Sequence, residues 1–364
     1  EAIGVSGTID HLEIEEFGVN LTLNNIEGMG WPYVILNDFI ITDHDTLTIP
    51  SGTIVKIDAD WSSYFGGYQE KRRIIVDGIL DIQGTASNPV VITSLRDDTY
   101  GGDTNNDYSQ TIPQPGDWGY IKYNTNPNNI LQHCIIKYGG LRDDNTSSSE
   151  TWHNYMVWGS GVLPQIDNCE ISNAYDDAVY VENAWVPVSI TNSSFNNVDG
   201  KAISLLSTLV ENVTISNNEF DIIGSGIYMS DISSQTSITD NTINGVSEYG
   251  IYFKGVEGSY SSNILTATDN IIHGLSGEGY GIYCRYSSND SQIISNTIEN
   301  KSSALVFSNC SPQIIGNTIA NITSYGIRQY NYSEPVFVGN SFNNIFYEAI
   351  GVSGTIDHLE IEEF

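Results

Sequence analysis

GIYMSDISSQTSITDNTINGVSEYGIYF, residues 226–253, opens on Gly-Ile-Tyr-Met and returns to Gly-Ile-Tyr-Phe 24 residues later, with Asp-Asn-Thr-Ile at 240–243 between them. Apolar residues do not recur at helical spacing. β-Branched residues are separated instead by Gly, Asn, Ser and Thr, which predicts short strands joined by turns. The opening motif, small–apolar–x–apolar, recurs along the chain: AVYV at 178–181, AISL at 202–205, GIYM at 226–229, GIYF at 250–253, GIYC at 281–284, ALVF at 304–307, GIRQ at 326–329 and AIGV at 349–352. Successive copies are 22 to 31 residues apart, mostly 23 or 24.

The second motif runs out of phase with the first: HCII at 133–136, NCEI at 168–171, NSSF at 192–195, NNEF at 217–220, DNTI at 240–243, DNII at 269–272, SNTI at 295–298, GNTI at 316–319 and GNSF at 339–342. A period near 23 with two or more strands in it is the mark of a solenoid, whose turns cannot each bury an apolar face and so bury them against one another. Equivalent residues then stack about 4.8 Å apart. Ile136, Ile171, Phe195, Phe220, Ile243, Ile272, Ile298, Ile319 and Phe342 are expected to form one interior column, and Asn218, Asn241, Asn270, Asn296, Asn317 and Asn340 a second, a hydrogen-bonded ladder. Each amide bond in it contributes about 1 kcal/mol net, whereas an unpaired buried amide costs roughly 1–3 kcal/mol.

These Asn-x-Ile turns resemble the repeats of right-handed parallel β-helix proteins, the pectate-lyase-like solenoid superfamily. The stretches LTIPSGTIVKI (47–57), IIVDGILDIQGTASNPVVITS (74–94) and GDWGYIKY (116–123) are similar to those of bacterial and archaeal surface proteins of this class. The resemblance implies an all-β chain, a right-handed parallel β-helix (β-solenoid) with a single continuous core, and leaves activity open, because the fold hosts enzymes, adhesins and stalks.

Residues 1–17 and 348–364 are the same seventeen-residue sequence, EAIGVSGTIDHLEIEEF. Three origins fit: a window on a longer array with a 347-residue tandem period, a chain with one end duplicated, or a chain whose ends exchange between neighbours. The pattern runs from residue 364 into residue 18 without a break, and neither end reads as a cap, which favours the window. The chain is therefore expected to be one β-helix over 1–364 without caps, with inserted loops at 96–115 and 139–157.

With 13 Lys and Arg against 45 Asp and Glu, the net charge is −32, which argues against nucleic acid and anionic membranes as partners and admits cations. No apolar run is long enough to insert in a membrane. RDDTYGGDTNNDYS (96–109) gathers Asp97, Asp98, Asp103, Asn105 and Asp107, hard oxygen ligands in a D-x-N-x-D spacing that resembles the start of calcium loops. The EF-hand's closing glutamate is missing; calcium is the cofactor this spacing admits, and a solvated loop with Asx turns is the other reading.

Tyr180, Tyr228, Tyr252 and Tyr283 take the outward position of the first motif. A stripe of rings could bind glycans, or the rings could simply pack along their own sheet. Cys134 and Cys169 fall in one column on adjacent turns, where either a disulfide or two stacked thiols fits. No bridge is expected between Cys284 and Cys310. The nine N-x-S/T sequons (Asn20, Asn145, Asn192, Asn212, Asn289, Asn300, Asn309, Asn321 and Asn331) are common in so Asn- and Ser-rich a chain.

Lyases of the resembling fold use acidic calcium ligands and an Arg or Lys base; here Arg285, Lys254 and Arg328 lack an evident carboxylate cluster. Its hydrolases carry NTD, DD and GHG motifs on successive turns; DD occurs at 97–98, 143–144 and 176–177, without NTD or GHG. His133 reads as structural. The sequence thus points away from an enzyme and toward a structural extracellular or cell-surface protein, a solenoid unit that partners itself head to tail in a fibre, sheath or stalk. The alternatives are a carbohydrate-binding or adhesive surface protein and a polysaccharide lyase or hydrolase.

Overall fold

The computed structural model describes residues 12–14, 20–24, 30–63, 69–141, 154–222, 224–258, 262–275, 277–353 and 360–361. Most of both copies of the duplicated segment lies outside them, and with it the expected head-to-tail continuation and missing caps; so does most of the 139–157 insertion.

Every strand but one short antiparallel pair, Trp61–Ser63 with Gln69–Lys71, lies in a parallel ladder. The chain winds through three sheets, here A, B and C. One rung runs from Tyr249–Gly255 in sheet C to Ile264–Thr268 in sheet B, turns through Asn270, continues as Ile271–Gly274 in sheet A, and re-enters sheet C at Tyr280–Arg285. The fold is a right-handed parallel β-helix.

The two sequence motifs are two corners of this rung. In the second motif, the first residue adopts positive φ: His133, Asn168, Asn192, Asn217, Asp240, Asp269, Ser295, Gly316 and Gly339 all do so. Asn, Asp and Gly tolerate that conformation at low cost, which explains why they dominate there. The left-handed residue turns the next side chain inward. Asn241 is fully buried; its Oδ1 accepts hydrogen bonds from Asn218 N and Nδ2, each 3.0 Å, and its own N and Nδ2 donate to Asn270 Oδ1 at 3.1 and 2.9 Å. The same exchange links Asn270, Asn296, Asn317 and Asn340. At its start, Ser193 N donates to Asn218 Oδ1 at 2.9 Å.

The last residue of the motif enters the core. Ile136, Ile171, Phe195, Phe220, Ile243, Ile272, Ile298, Ile319 and Phe342 are in register from strand to strand of sheet A, and the Phe195 and Phe220 rings stack at 5.0 Å. The first motif begins with a small residue because this column presses against it: a Cβ at Gly250 would lie 2.5 Å from Ile272 Cγ2.

Candidate functional face

The outer side of sheet C carries three columns of side chains. The middle column, in register, is Lys122, Trp158, Tyr180, Ser204, Tyr228, Tyr252, Tyr283, Val306, Arg328 and Gly351. On one flank Tyr249 stands beside Tyr280, then Ser303 and Tyr325. On the other run Ser230, Lys254, Arg285, Ser308 and Tyr330. Outward Ser204, Ser303, Val306 and Ser308 are nonetheless at most 3% exposed, so the long side chains of neighbouring rungs cover them. The result is a continuous plate.

The tyrosine rings lie face to face along the helix axis: Tyr228 to Tyr252 at 4.5 Å and 6°, Tyr252 to Tyr283 at 5.4 Å and 24°, and Tyr155 to Tyr180 at 3.9 Å and 13°. Ring faces are thus used within the stack, as in cross-strand aromatic pairs, and ring edges are what the stack can turn outward. Burial and neighbouring groups push the phenols upward, Tyr180 and Tyr283 to about 12, so they remain hydroxyl donors at neutral pH.

Five of the 13 Lys and Arg line this face: Lys122, Lys201, Lys254, Arg285 and Arg328. Lys201 pairs with Asp177 at 3.6 Å, Lys254 pairs with Asp231 at 2.7 Å, and Lys122 Nζ sits 3.7 Å over the Trp158 ring. Arg285 donates from Nη2 to Tyr286 Oη, and Arg328 lies 4.6 and 4.9 Å from the Tyr325 and Tyr330 ring centres.

Asp177, the second residue of the DD at 176–177, stands at the edge of the plate. It is 2% exposed, its Oδ1 accepts from Lys201 N at 2.8 Å, and its Oδ2 is buried without a partner among the described residues. Burial lifts its pKa to about 6, with Lys201 opposing and Asp176 reinforcing the shift. The recurring Tyr-Gly-Ile at 249–251, 280–282 and 325–327 carries the flanking tyrosines, a signal beside the outward positions of the first motif.

The 96–115 loop brings only part of its acidic set together. Carboxylates of Asp98, Asp103 and Asp107 lie within 4.8 Å of one another. Asp97 is turned into the core side, where it accepts from Thr93 and Thr99, and Asn105 donates to Asp107. The fully buried Lys56 donates to Gly102 O at 2.7 Å beneath this loop; burial lowers its pKa against the pull of Asp98, Asp97 and Asp103. Cys134 and Cys169 are buried free thiols with sulfurs 3.2 Å apart. Cys310 Sγ donates to Cys284 O, and His133 supplies a left-handed turn.

Residues 156–319 match the family model described as right handed beta helix region. Among solved structures, the chain is similar to the catalytic unit of a thermostable GH87 alpha-1,3-glucanase from Streptomyces thermodiastaticus strain HF3-3, with 10% identity, TM-score 0.37, and coverage of 92% of this chain and 63% of that one. It is similar also to the Agl-KA catalytic domain, with 16% identity, TM-score 0.41 and the same coverage. The chain thus spans less than two thirds of the length of either. No curated protein sequence matches. Both of these solved chains are described as catalytic, against the expectations of a structural fibre and of no enzymatic activity. At such identity and TM-score the likeness carries neither an activity nor a substrate to this chain. By its topology and by the family match over 156–319, the chain is a right-handed parallel β-helix.

Proposed function

We propose that the chain acts on polysaccharide, bound along the outer face of sheet C, outside the cell or at its surface. The observation that carries the reading is the plate itself: an elongated row of half-buried phenols and cations in register over successive rungs, a shape suited to a polymer rather than to a small molecule. Because the rings stack on one another, contact with a glycan runs through hydroxyl and guanidinium donors more than through ring faces.

Glycoside cleavage needs a carboxyl that still holds a proton near neutral pH and a second acid beside it. In the Asp176–Asp177 pair, Asp177 comes nearest to the first requirement: burial lifts its pKa to about 6, so it holds its proton in a mildly acidic medium. In the hydrolytic step the acid would give its proton to the glycosidic oxygen as the bond from that oxygen to the anomeric carbon breaks, while water gives a proton to the second carboxylate and adds to the anomeric carbon, so that no further reactant is needed.

Incubation with a panel of neutral and acidic polysaccharides tests this, reading retention of the protein on the polymer and new reducing ends. Retention with cleavage is expected, and Asp177→Asn should keep retention while losing cleavage. Neither retention nor reducing ends on any polymer would sink the proposal.

A further inference from the structure

We infer that Cys134 and Cys169 are a covalent modification site: oxidised by a small-molecule disulfide, they join in a cross-rung disulfide that staples the rung bearing the 139–157 insertion. The inference stands apart from the glycan-binding reading and does not rest on it.

Both cysteines occupy the column of the asparagine ladder, as the second residues of HCII (133–136) and NCEI (168–171). From Ser193 onward that column is tied from rung to rung by hydrogen bonds to Asn218, Asn241 and Asn270. Before it, Cys169 N donates to Ser193 Oγ at 3.1 Å, and no amide stands at 134 or 169 to carry the exchange further. The two rungs meet instead through a sulfur–sulfur contact of 3.2 Å, between residues 35 apart in the chain. Thiols are weak donors and weak acceptors, so this contact ties the rungs less firmly than an Asn pair does. A disulfide restores the tie in the same column.

The geometry suits the bond. The strands that follow the two cysteines pair in register, Ile135 with Glu170 and Ile136 with Ile171. Neighbouring rungs are about 4.8 Å apart, inside the Cα separation of roughly 4.4–6.8 Å that a disulfide spans. The sulfurs already touch, and closing to about 2.05 Å takes a shift of ~1 Å. The other two cysteines are arranged differently: Phe307, not Cys310, is the register partner of Cys284, and Cys310 Sγ is turned to Cys284 O.

The chemistry is thiol–disulfide exchange. The hydrogen bond with Cys134 lowers the pKa of the Cys169 thiol against the effect of burial, which makes Cys169 the attacking thiolate. It lines a surface groove with His133, Asn168 and Glu170, the side from which a small disulfide approaches. Tyr123, within electrostatic reach of both sulfurs, carries a buried hydroxyl with no partner among the described residues, a donor for the thiolate that exchange requires. Cys169 Sγ attacks one sulfur of the oxidant, displaces the first thiol and forms a mixed disulfide. Cys134 then attacks Cys169 Sγ and displaces the second. Two protein thiols are oxidised to one disulfide, and the oxidant is reduced to two thiols that take up both protons. The ring so closed contains the whole insertion and the strand Tyr155–Ser160, which sets Tyr155 against Tyr180 on the plate. Cross-linking its ends restricts the unfolded chain and so stabilises the folded rung.

The test equilibrates the full chain in buffers of stepped reduced-to-oxidised glutathione ratio, quenches it with acid, alkylates it under denaturing conditions and digests it with trypsin. Peptide 123–137 should appear linked to peptide 143–201, and reduction should separate them, while Cys284 and Cys310 take up the alkylating agent. The oxidised chain should melt about 5 °C above the same chain reduced. Cys169→Ala, which cannot form the bond, should melt at one temperature in both buffers. A pair that stays reduced in every buffer overturns the inference. So does a link between Cys284 and Cys310 in its place, or a Cys134–Cys169 link that leaves the midpoint where it was.

Discussion

The asparagine ladder and the tyrosine plate are both stacks of polar side chains repeated once per rung, but one is closed and the other is open. In the ladder, the inward Oδ1 atoms of Asn241, Asn270, Asn296, Asn317 and Asn340 each take two bonds from the rung before, and every Nδ2 finds a carbonyl. On the plate, Arg285 keeps an unpaired Nε and the stacked phenols stay protonated. The same periodic machinery builds both. A stack whose hydrogen bonds all end inside the molecule stabilises it, whereas a stack with donors left over is equipped for something outside. Sequence period alone does not separate the two cases; the balance of donors and acceptors does.

The hardest way to break the comparison is to cut the ladder at its centre. Asn270→Ala strips the acceptor from Asn241 N and Nδ2 and the donor from Ile238 O and Thr268 O. Several buried groups are orphaned at once, each costing roughly 1–3 kcal/mol, so a loss of about 3–5 kcal/mol is expected from urea midpoints. Asn340→Ala orphans the matching set, Asn317 N and Nδ2, Ile314 O and Val338 O, and spares only the bonds to a following rung among the described residues, so it should cost somewhat less. Equal losses at both positions would mean that the ladder is not cooperative.

A buried cation sharpens the contrast from inside. Lys301 is fully buried, donates to Val246 O at 2.8 Å, and has its pKa lowered to about 8 by desolvation, which Glu278 only partly opposes. Between that value and its ordinary one the unfolded chain binds the proton more tightly, so stability rises as pH increases from about 8 toward 10. Lys56 and Lys71 share the direction. The raised tyrosines act oppositely above pH 10, because the folded state then holds their protons longer. Lys301→Met should flatten the slope by at most ~1.4 kcal/mol per pH unit, read from melting curves between pH 7.5 and 10. An unaltered slope would show that this ammonium is hydrated.

How much of this was legible depends on the direction in which a residue's bonds run. Asn241 and Ile243 could be placed from the repetition of DNTI-like turns, because an inward stack admits few residue types, Asn from Asn218 onward in one column and Ile or Phe in the other, and so writes itself into the sequence. Outward positions tolerate alternation: Tyr180, Ser204, Tyr228 and Val306 share a column although the residues differ, since rings from adjacent rungs lean over the small ones. That hid the extent of the plate and its flanking tyrosines. Asp177 was hidden for another reason. Its raised pKa comes from burial, opposed by Lys201 on the next rung and reinforced by the adjacent Asp176, and acids in turns are ordinary in sequence. The loop at 97–107 is sorted only by the fold: of the five ligands that adjacency in sequence suggested, the carboxylates of Asp98, Asp103 and Asp107 come together, Asn105 bonds Asp107, and Asp97 bonds threonines.

On the outer stack, Tyr252→Ala removes two stacked partners, Tyr228 and Tyr283, and one edge contact with Tyr249. Aromatic pairs are worth about 0.5–1.5 kcal/mol each beyond area, but water replaces part of what a half-exposed ring loses. A stability loss of about 1 kcal/mol is expected, well short of the ladder cut, together with a tenfold or greater fall in affinity for a bound glycan. A loss as large as that of Asn270→Ala, without change in binding, would assign the plate to stability and remove the distinction between closed and open stacks.

The smallest effect extends the closed stack by one rung. Ser193 stands where the ladder begins: its N bonds Asn218 Oδ1, its hydroxyl donates to Thr191 O at 2.8 Å, and it accepts from Cys169 N at 3.1 Å. Ser193→Asn offers the same acceptor to Cys169 N and the same donor to Thr191 O, and adds a second N–H. By the pattern in which Asn218 Nδ2 donates to Ile190 O, that N–H would reach Ile166 O, its equivalent one rung earlier. One new buried hydrogen bond contributes about 0.5–1.5 kcal/mol, offset by fitting a larger side chain beside Cys169, so a gain near 0.5 kcal/mol is expected in the urea midpoint. A loss above 1 kcal/mol would show that the ladder stops at Asn218 because the cysteine rungs before it leave no room for an amide, not because serine suffices there.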